Sequence, residues 1–167
     1  MGVGLSQLSH VVHVDMSFNV ISDIGARAVA AYTSQSQSLS CLALIDNNIR
    51  ASGARALAHG LAADTCTLVS LDLRLNYIGD EGAMELYRVL TTRNRSLRCL
   101  NISSNLCTAA SATALADMLR HNNVISTLDV TANDLAVSNT LHSVCLSVCL
   151  SVGLCLSVVA WAVYFRV

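Results

Sequence analysis

The sequence predicts an α/β solenoid, a row of strand–turn–helix units leaning on one another, and three observations lead there. Asparagines recur at Asn19, Asn47, Asn76, Asn105 and Asn133, at intervals that agree to within one position. Ahead of each asparagine, apolar residues stand two apart, as Leu71 and Leu73 do around Asp72. Beyond it they recur at three and four, as in Ala83, Leu86 and Leu90. The first period is that of a strand buried on one face, and the second that of a helix with one apolar stripe. One such unit buries too little apolar surface to stand alone, so stacked copies must complete one another's core.

The strands come first in each unit. Their core side reads Val11, Val14, Met16, then Leu39, Leu42, Leu44, then Leu68, Leu71, Leu73, then Leu97, Leu100, Ile102, then Ile125, Leu128, Val130. The turn follows at the asparagine, whose amide both donates and accepts and so can satisfy backbone groups that no sheet partner reaches. Two residues later a core position is filled by Ile21, Ile49, Ile78, Cys107 or Leu135. The helices open on Gly25-Ala26, Gly53-Ala54 and Gly82-Ala83 in the first three units, small residues that permit close packing. Asp23, Asp80 and Glu81 read as first-turn acids that favour the helix dipole.

With these positions aligned, the pattern LxxLxLxxNxIxxxGAxxL resembles the ribonuclease-inhibitor type of leucine-rich repeat over about Val11 to Leu135. That resemblance implies a horseshoe of four to five repeats with parallel strands on the concave face and helices on the convex face. Neither end shows a polar cap, which reads as a piece of a longer array or a truncated gene product. The expected division is a solenoid over residues 1–138 and an apolar tail over residues 139–167.

Composition narrows the function. A net charge of −1 with 13% charged residues argues against a nucleic-acid surface, and the absence of proline argues against a rigid linker. Cys41, Cys66, Cys99 and Cys107 form no CxxC pair; Cys41 and Cys99 share a repeat position two repeats apart, too far for a bond, so reduced thiols are expected. His10 and His13 stand at a strand entry where their spacing turns them to opposite faces, and no metal or cofactor site is expected. Glycine-rich phosphate loops, HExxH and GxSxG are all missing, so neither a catalytic centre nor a small-molecule substrate is expected.

The tail is apolar for a reason that its repetition suggests. Ser143 to Phe165 carry no charge, a span long enough for a membrane helix, with Trp161, Tyr164 and Phe165 beside Arg166 as interfacial anchors. Yet Cys145–Val148, Cys149–Val152 and Cys155–Val158 repeat one quartet, Cys-Leu-Ser-Val. Translation of a repeated TGTC tract yields that quartet, so the expectation is translated simple-sequence DNA, with membrane anchorage through 143–165 as the alternative. Gly2 and Ser6 give a weak acylation pattern, MGxxxS.

The remaining surface is the concave wall. Residues between the buried strand positions form three ladders: His13, Cys41, Ser70, Cys99, Thr127; Asp15, Ala43, Asp72, Asn101, Asp129; and Ser17, Ile45, Arg74, Ser103, Thr131. Asp15, Asp72, Arg74, Asn101 and Asp129 are the expected protein-docking residues, since this is the one broad rigid surface the architecture provides. Outward helix arginines Arg27, Arg55, Arg88 and Arg120 are a second candidate.

Two details narrow the resemblance. "LRLN", ending at Asn76, and the helix "TALADML", ending at Leu119, resemble the leucine-rich-repeat subunit of the axonemal dynein regulatory complex. That resemblance implies a non-catalytic structural component of a ciliary or flagellar assembly, placed in the cytoplasm at the axoneme, with other axonemal subunits as partners. The alternatives are the repeat region of a nucleotide-binding innate immune receptor, or a regulator such as a ribonuclease inhibitor or Ran GTPase activator. An inhibitor should have a more acidic concave face and more cysteines, and no catalytic arginine for an activator can be picked out.

Overall fold

A computed structural model describes residues 10–135 and the strand at 155–157. Among the described residues, strands and helices alternate: β1 (His13–Asp15), α1 (Ser22–Gln35), β2 (Cys41–Ala43), α2 (Ala51–Leu61), β3 (Ser70–Asp72), α3 (Gly79–Thr92), β4 (Cys99–Asn101), α4 (Ala109–His121), β5 (Thr127–Asp129) and β6 (Cys155–Ser157). The strands form one parallel sheet in chain order, and α1 to α4 are the crossovers between the first five. In register, Val14, Leu42, Leu71, Leu100 and Leu128 stand side by side. The α/β solenoid expected from the repeat is the fold observed.

The core is one strip between sheet and helices. Leu42, Leu71, Leu100 and Leu128 from the sheet, Ile49, Ile78 and Cys107 from the turns, and Leu57, Leu86 and Leu115 from the helices are all at most 2% exposed. Each buried leucine contributes about 1.5–3 kcal/mol by leaving water. In the first unit Val14 and Met16 are only half-buried.

The asparagines superpose in a row and knit one unit to the next. Asn76 Oδ1 accepts from the amides of Asn47 and Ile49, each at 3.0 Å, and its Nδ2 donates to the Leu44 and Leu73 carbonyls, each at 2.9 Å. Asn105 reaches back to the Leu73 carbonyl at 2.9 Å and Asn133 to that of Ile102 at 2.9 Å. Asn47, Asn76 and Asn105 are buried, whereas Asn19 is exposed and its amide donates only within its own turn.

A second row, not anticipated from the sequence, works at the opposite edge where helices return to strands. Asn94 Oδ1 accepts from the amides of Ser96 and Leu97, and its Nδ2 donates to the Leu61 carbonyl of the preceding helix at 2.8 Å. Asn122 does the same with Val124, Ile125 and the Leu90 carbonyl at 2.7 Å. In the first unit Ser36 Oγ takes the place, accepting from Leu39 at 3.0 Å.

Successive units are not identical: they alternate. Helices begin three residues after the asparagine in the first and third units (Asn19 to Ser22, Asn76 to Gly79) and four after it in the second and fourth (Asn47 to Ala51, Asn105 to Ala109). Left-handed backbone at Ser22 and Gly79 marks the former, and at Asn48 and Leu106 the latter. The junctions differ accordingly: Ser22 and Gly79 donate to the Asn47 and Asn105 carbonyls, while Tyr77 and Asp134 donate to those of Ile49 and Cys107.

Small residues at the helix starts are required by their neighbours. A Cβ on Gly53 would stand 2.6 Å from Asp23 Oδ1 and 2.8 Å from Ile49 Cγ2, and one on Gly82 2.6 Å from Ile78 Cγ2 and 2.9 Å from Ala54 Cβ. Close packing is against the turn isoleucine and the preceding helix, more than against the strand layer.

Of the tail, Cys155–Ser157 pairs with β5 in register Thr127↔Cys155, the same chain step that separates Cys99 from Thr127 in the pairing before it. These three residues are extended and so not part of a helix. The rest of 143–165, and the acylation pattern at Gly2 and Ser6, lie outside the described residues. No helix among the described residues is long and apolar enough to cross a membrane.

Candidate docking face

On the open face of the sheet, Asp15, Ala43, Asp72, Asn101 and Asp129 are adjacent in register, so the ladder expected from the sequence is assembled. Parallel strands lie about 4.8 Å apart, which sets the carboxylates at regular steps along a rigid wall. Asp15 is exposed, and Asp72, Asn101 and Asp129 are half-buried.

These residues also have a local task that the sequence reading missed. Each turns back to hold the backbone two residues on: Asp15 accepts from Ser17 at 2.9 Å, Asp72 from Arg74 at 3.1 Å, Asn101 from Ser103 at 2.9 Å and Asp129 from Thr131 at 2.9 Å. Short side chains that accept from i+2 are favoured where a strand turns out of its sheet. In the second unit Ala43 cannot do this, and the Ile45 amide is met instead by Ser17 Oγ of the unit before, at 3.3 Å. The signal was available as an Asp or Asn two residues before a turn, repeated at the unit spacing.

This anchoring fixes the charges. Hydrogen bonds from the Ser17 side chain and backbone hold the Asp15 carboxyl below the usual carboxylate range, so it is ionised across the neutral range. Arg74 Nε lies 3.5 Å from Asp72 Oδ2, an open pair that leaves the guanidinium accessible. Asn101 Nδ2 reaches Asp129 Oδ2 at 3.4 Å. The ladder therefore offers preoriented acceptors beside an available cation, a pattern that can recognise a polar protein surface.

The flanking ladders are less open than expected. Ile45 and Ser103 in the third ladder are buried, the latter with its hydroxyl donating to Asn101 Oδ1 at 2.8 Å. In the first ladder Cys41 and Cys99 are free thiols flanking Ser70.

The convex arginines fare worse as a binding surface. Arg27 donates to Ser52 at 2.9 Å, Arg55 pairs with Glu81 at 3.7 Å and Arg88 with Glu85 at 2.8 Å. Three of the four are thus already met by neighbours, and Arg120 stands exposed with no such partner among the described residues.

The first-turn acids act on the next helix. Asp23 Oδ1 accepts from the amides of Arg50 and Gly53 at 2.8 and 2.9 Å, capping α2, whose own N-cap residue, Arg50, makes no side-chain capping bond. Asp80 accepts from Thr108 N and Oγ1, both at 2.7 Å, at the start of α4. Desolvation pushes the Asp80 carboxyl up, but hydrogen bonds from Thr108 and Ser111 outweigh it and hold the group below its ordinary value. The expectation that these acids serve their own helix is therefore incomplete.

Comparison with known proteins agrees with this geometry. The sequence matches the family described as Leucine Rich repeat over residues 7–30, 35–58, 65–86 and 93–116. It is 30% identical over 132 residues to the human NACHT, LRR and PYD domains-containing protein 13, an alignment covering 78% of this chain and 13% of that protein. Among solved structures it is similar to leiomodin-1 actin-binding site 2, with a TM-score of 0.75 and 17% identity over 86% of this chain and 82% of that one. The tropomodulin C-terminal domain of Caenorhabditis elegans follows, with a TM-score of 0.70 and 16% identity over 86% and 88%. At these identities the two structures share the fold.

Proposed function

Since the chain belongs to the leucine-rich repeat family, we propose that it is a non-catalytic protein-docking scaffold whose concave residues Asp15, Asp72, Asn101 and Asp129, with Arg74 beside them, engage a protein partner. The observation that carries this reading is the register itself. Four of the five ladder positions carry polar side chains fixed by hydrogen bonds to their own turns, so docking would need little further ordering.

Within that function, the motifs ending at Asn76 and Leu119 support a docking role in the dynein regulatory complex of cilia and flagella, with axonemal subunits as partners. The second reading is the repeat region of a nucleotide-binding innate immune receptor, favoured by the 30% identity to a human protein of the NACHT, LRR and PYD type. The chain spans only 13% of that relative. The likeness to leiomodin and tropomodulin carries no partner with it.

Proximity labelling in ciliated cells tests both. The scaffold reading expects axonemal subunits to be labelled, and expects Asp72→Arg to weaken their capture about tenfold by reversing one fixed charge. Undiminished capture by that variant would remove the concave face from the account. Labelling that finds no axonemal protein would discard the ciliary role, and stimulated Ran GTP hydrolysis would overturn the non-catalytic reading.

A further inference from the structure

Where strands hand over to helices, most of the residues on either side of the repeat asparagines face solvent, and several are large and apolar. Phe18 and Val20 are 71% and 83% exposed around Asn19, Leu75 and Tyr77 are 48% and 53% exposed around Asn76, and Leu106 is 65% exposed after Asn105. Phe18 and Leu75 hold left-handed backbone, with φ of 60° and 59°, which costs a bulky L-residue about 1–2 kcal/mol. Asp46 occupies the same position in the second unit, with φ of 50°, and its residue type adopts that conformation more readily. Phenylalanine and leucine therefore stand on this rim against both a local backbone cost and exposure to water.

The rim is also indented and acidic. Phe18, Asn19, Val20, Asp46, Asn48 and Tyr77 line a cleft of about 340 Å³. Among the described residues the Asp46 carboxylate makes no ion pair, while Arg74 is turned toward Asp72. Arg50 is bridged through its backbone to Tyr77 but does not line the cleft.

We propose that this cleft receives a basic side chain, arginine or lysine, of a protein partner, whose adjacent apolar side chains rest on Leu75 and Leu106. Three of the lining residues favour a cation: Phe18 and Tyr77 as aromatic rings, whose quadrupoles attract positive charge, and Asp46 through its own charge. An apolar anchor would strip water from Asp46 and leave it unpaired, and an anion would be repelled by it. Asp15, Asp72 and Asp129 on the neighbouring concave face extend the same negative field, against Arg74.

The test is an NMR titration of the ¹⁵N-labelled full chain with a blocked peptide bearing one arginine and two leucines, beside the same peptide with uncharged citrulline in place of arginine. The arginine peptide should shift the amides of Phe18, Asn48 and Tyr77. Citrulline should bind about five- to tenfold more weakly, since it loses both the cation–π and the ion-pair contribution, and Asp46→Asn, which loses only the ion pair, should bind the arginine peptide about two- to fivefold more weakly. Asparagine tolerates left-handed backbone, so this variant should stay folded, which its own spectrum reports. Equal binding of the two peptides, undiminished binding by Asp46→Asn, or no shifts at those amides would each overturn the proposal. So would an equal loss in Asp72→Asn, which would move the site to the concave face.

Discussion

At the residue scale the fold rests on side chains that replace missing sheet hydrogen bonds. Asn76 makes its bonds in a buried setting, which is why no shorter or apolar residue could stand there. Not every buried polar atom is so treated. Tyr87 occupies a helix position held by Ala30, Ala58 and Ala116 in the other units, is completely buried, and its hydroxyl has no hydrogen-bond partner among the described residues. Burial drives its phenol well above the ordinary range, with the nearby Cys107 and Asp80 adding to the shift. Tyr87→Phe should therefore leave stability unchanged or raise it by up to about 1 kcal/mol, read from the midpoint of urea unfolding; a loss of that size would show that the hydroxyl is satisfied. The repeat asparagines were legible because one residue type recurs at one spacing. The second row is weaker in the sequence, because only Asn94 and Asn122 share a type at the repeat spacing, while Ser36 stands in their place in the first unit among other polar loop residues.

At the scale of elements, the alternation of unit geometry organises the stack. Asp23 and Asp80 belong to the first and third units and hold the starts of the helices of the second and fourth, Asp23 by capping α2 and Asp80 by bonding Thr108, whose own hydroxyl caps α4, while the corresponding residues of those units are Ala51 and Ala109. Units are thereby tied in pairs at their helix starts. Asp80→Ala should cost about 1 kcal/mol, the usual worth of an N-terminal cap. Because the folded-state carboxyl is held below its ordinary value near 3.8, its contribution is complete above that value and is lost as pH falls through the lower folded one. The gap between wild type and variant should therefore be full at about pH 7 and shrink as pH falls below 3.8; a constant gap would contradict the assignment. Sequence reading found the acids and gave them to their own helices, since the dipole argument is local. Bonds to the helix of the next unit depend on how units are offset, and offset is a property of packing that no single unit encodes.

At the scale of the whole molecule, the central claim is that the described units form one continuous core, with the concave wall and its rim as consequences of that stacking. The stacked solenoid, the superposed asparagines and the polar ladder were legible because each follows from a repeat period, and the horseshoe was implied by the resemblance to the leucine-rich repeat. The cleft beneath Phe18 and Tyr77 was not, because it joins residues of three units whose side chains differ. Native-state hydrogen exchange on Asn76→Ala tests the claim most directly, since this change leaves buried backbone groups of two adjacent units unpaired and should cost about 2–4 kcal/mol. If the units share one core, the slowest amides of all the helices from α1 to α4 should exchange faster by a common factor of about 30 or more. Acceleration confined to α3, with α1 and α4 exchanging at their wild-type rates, would mean that the units stand independently.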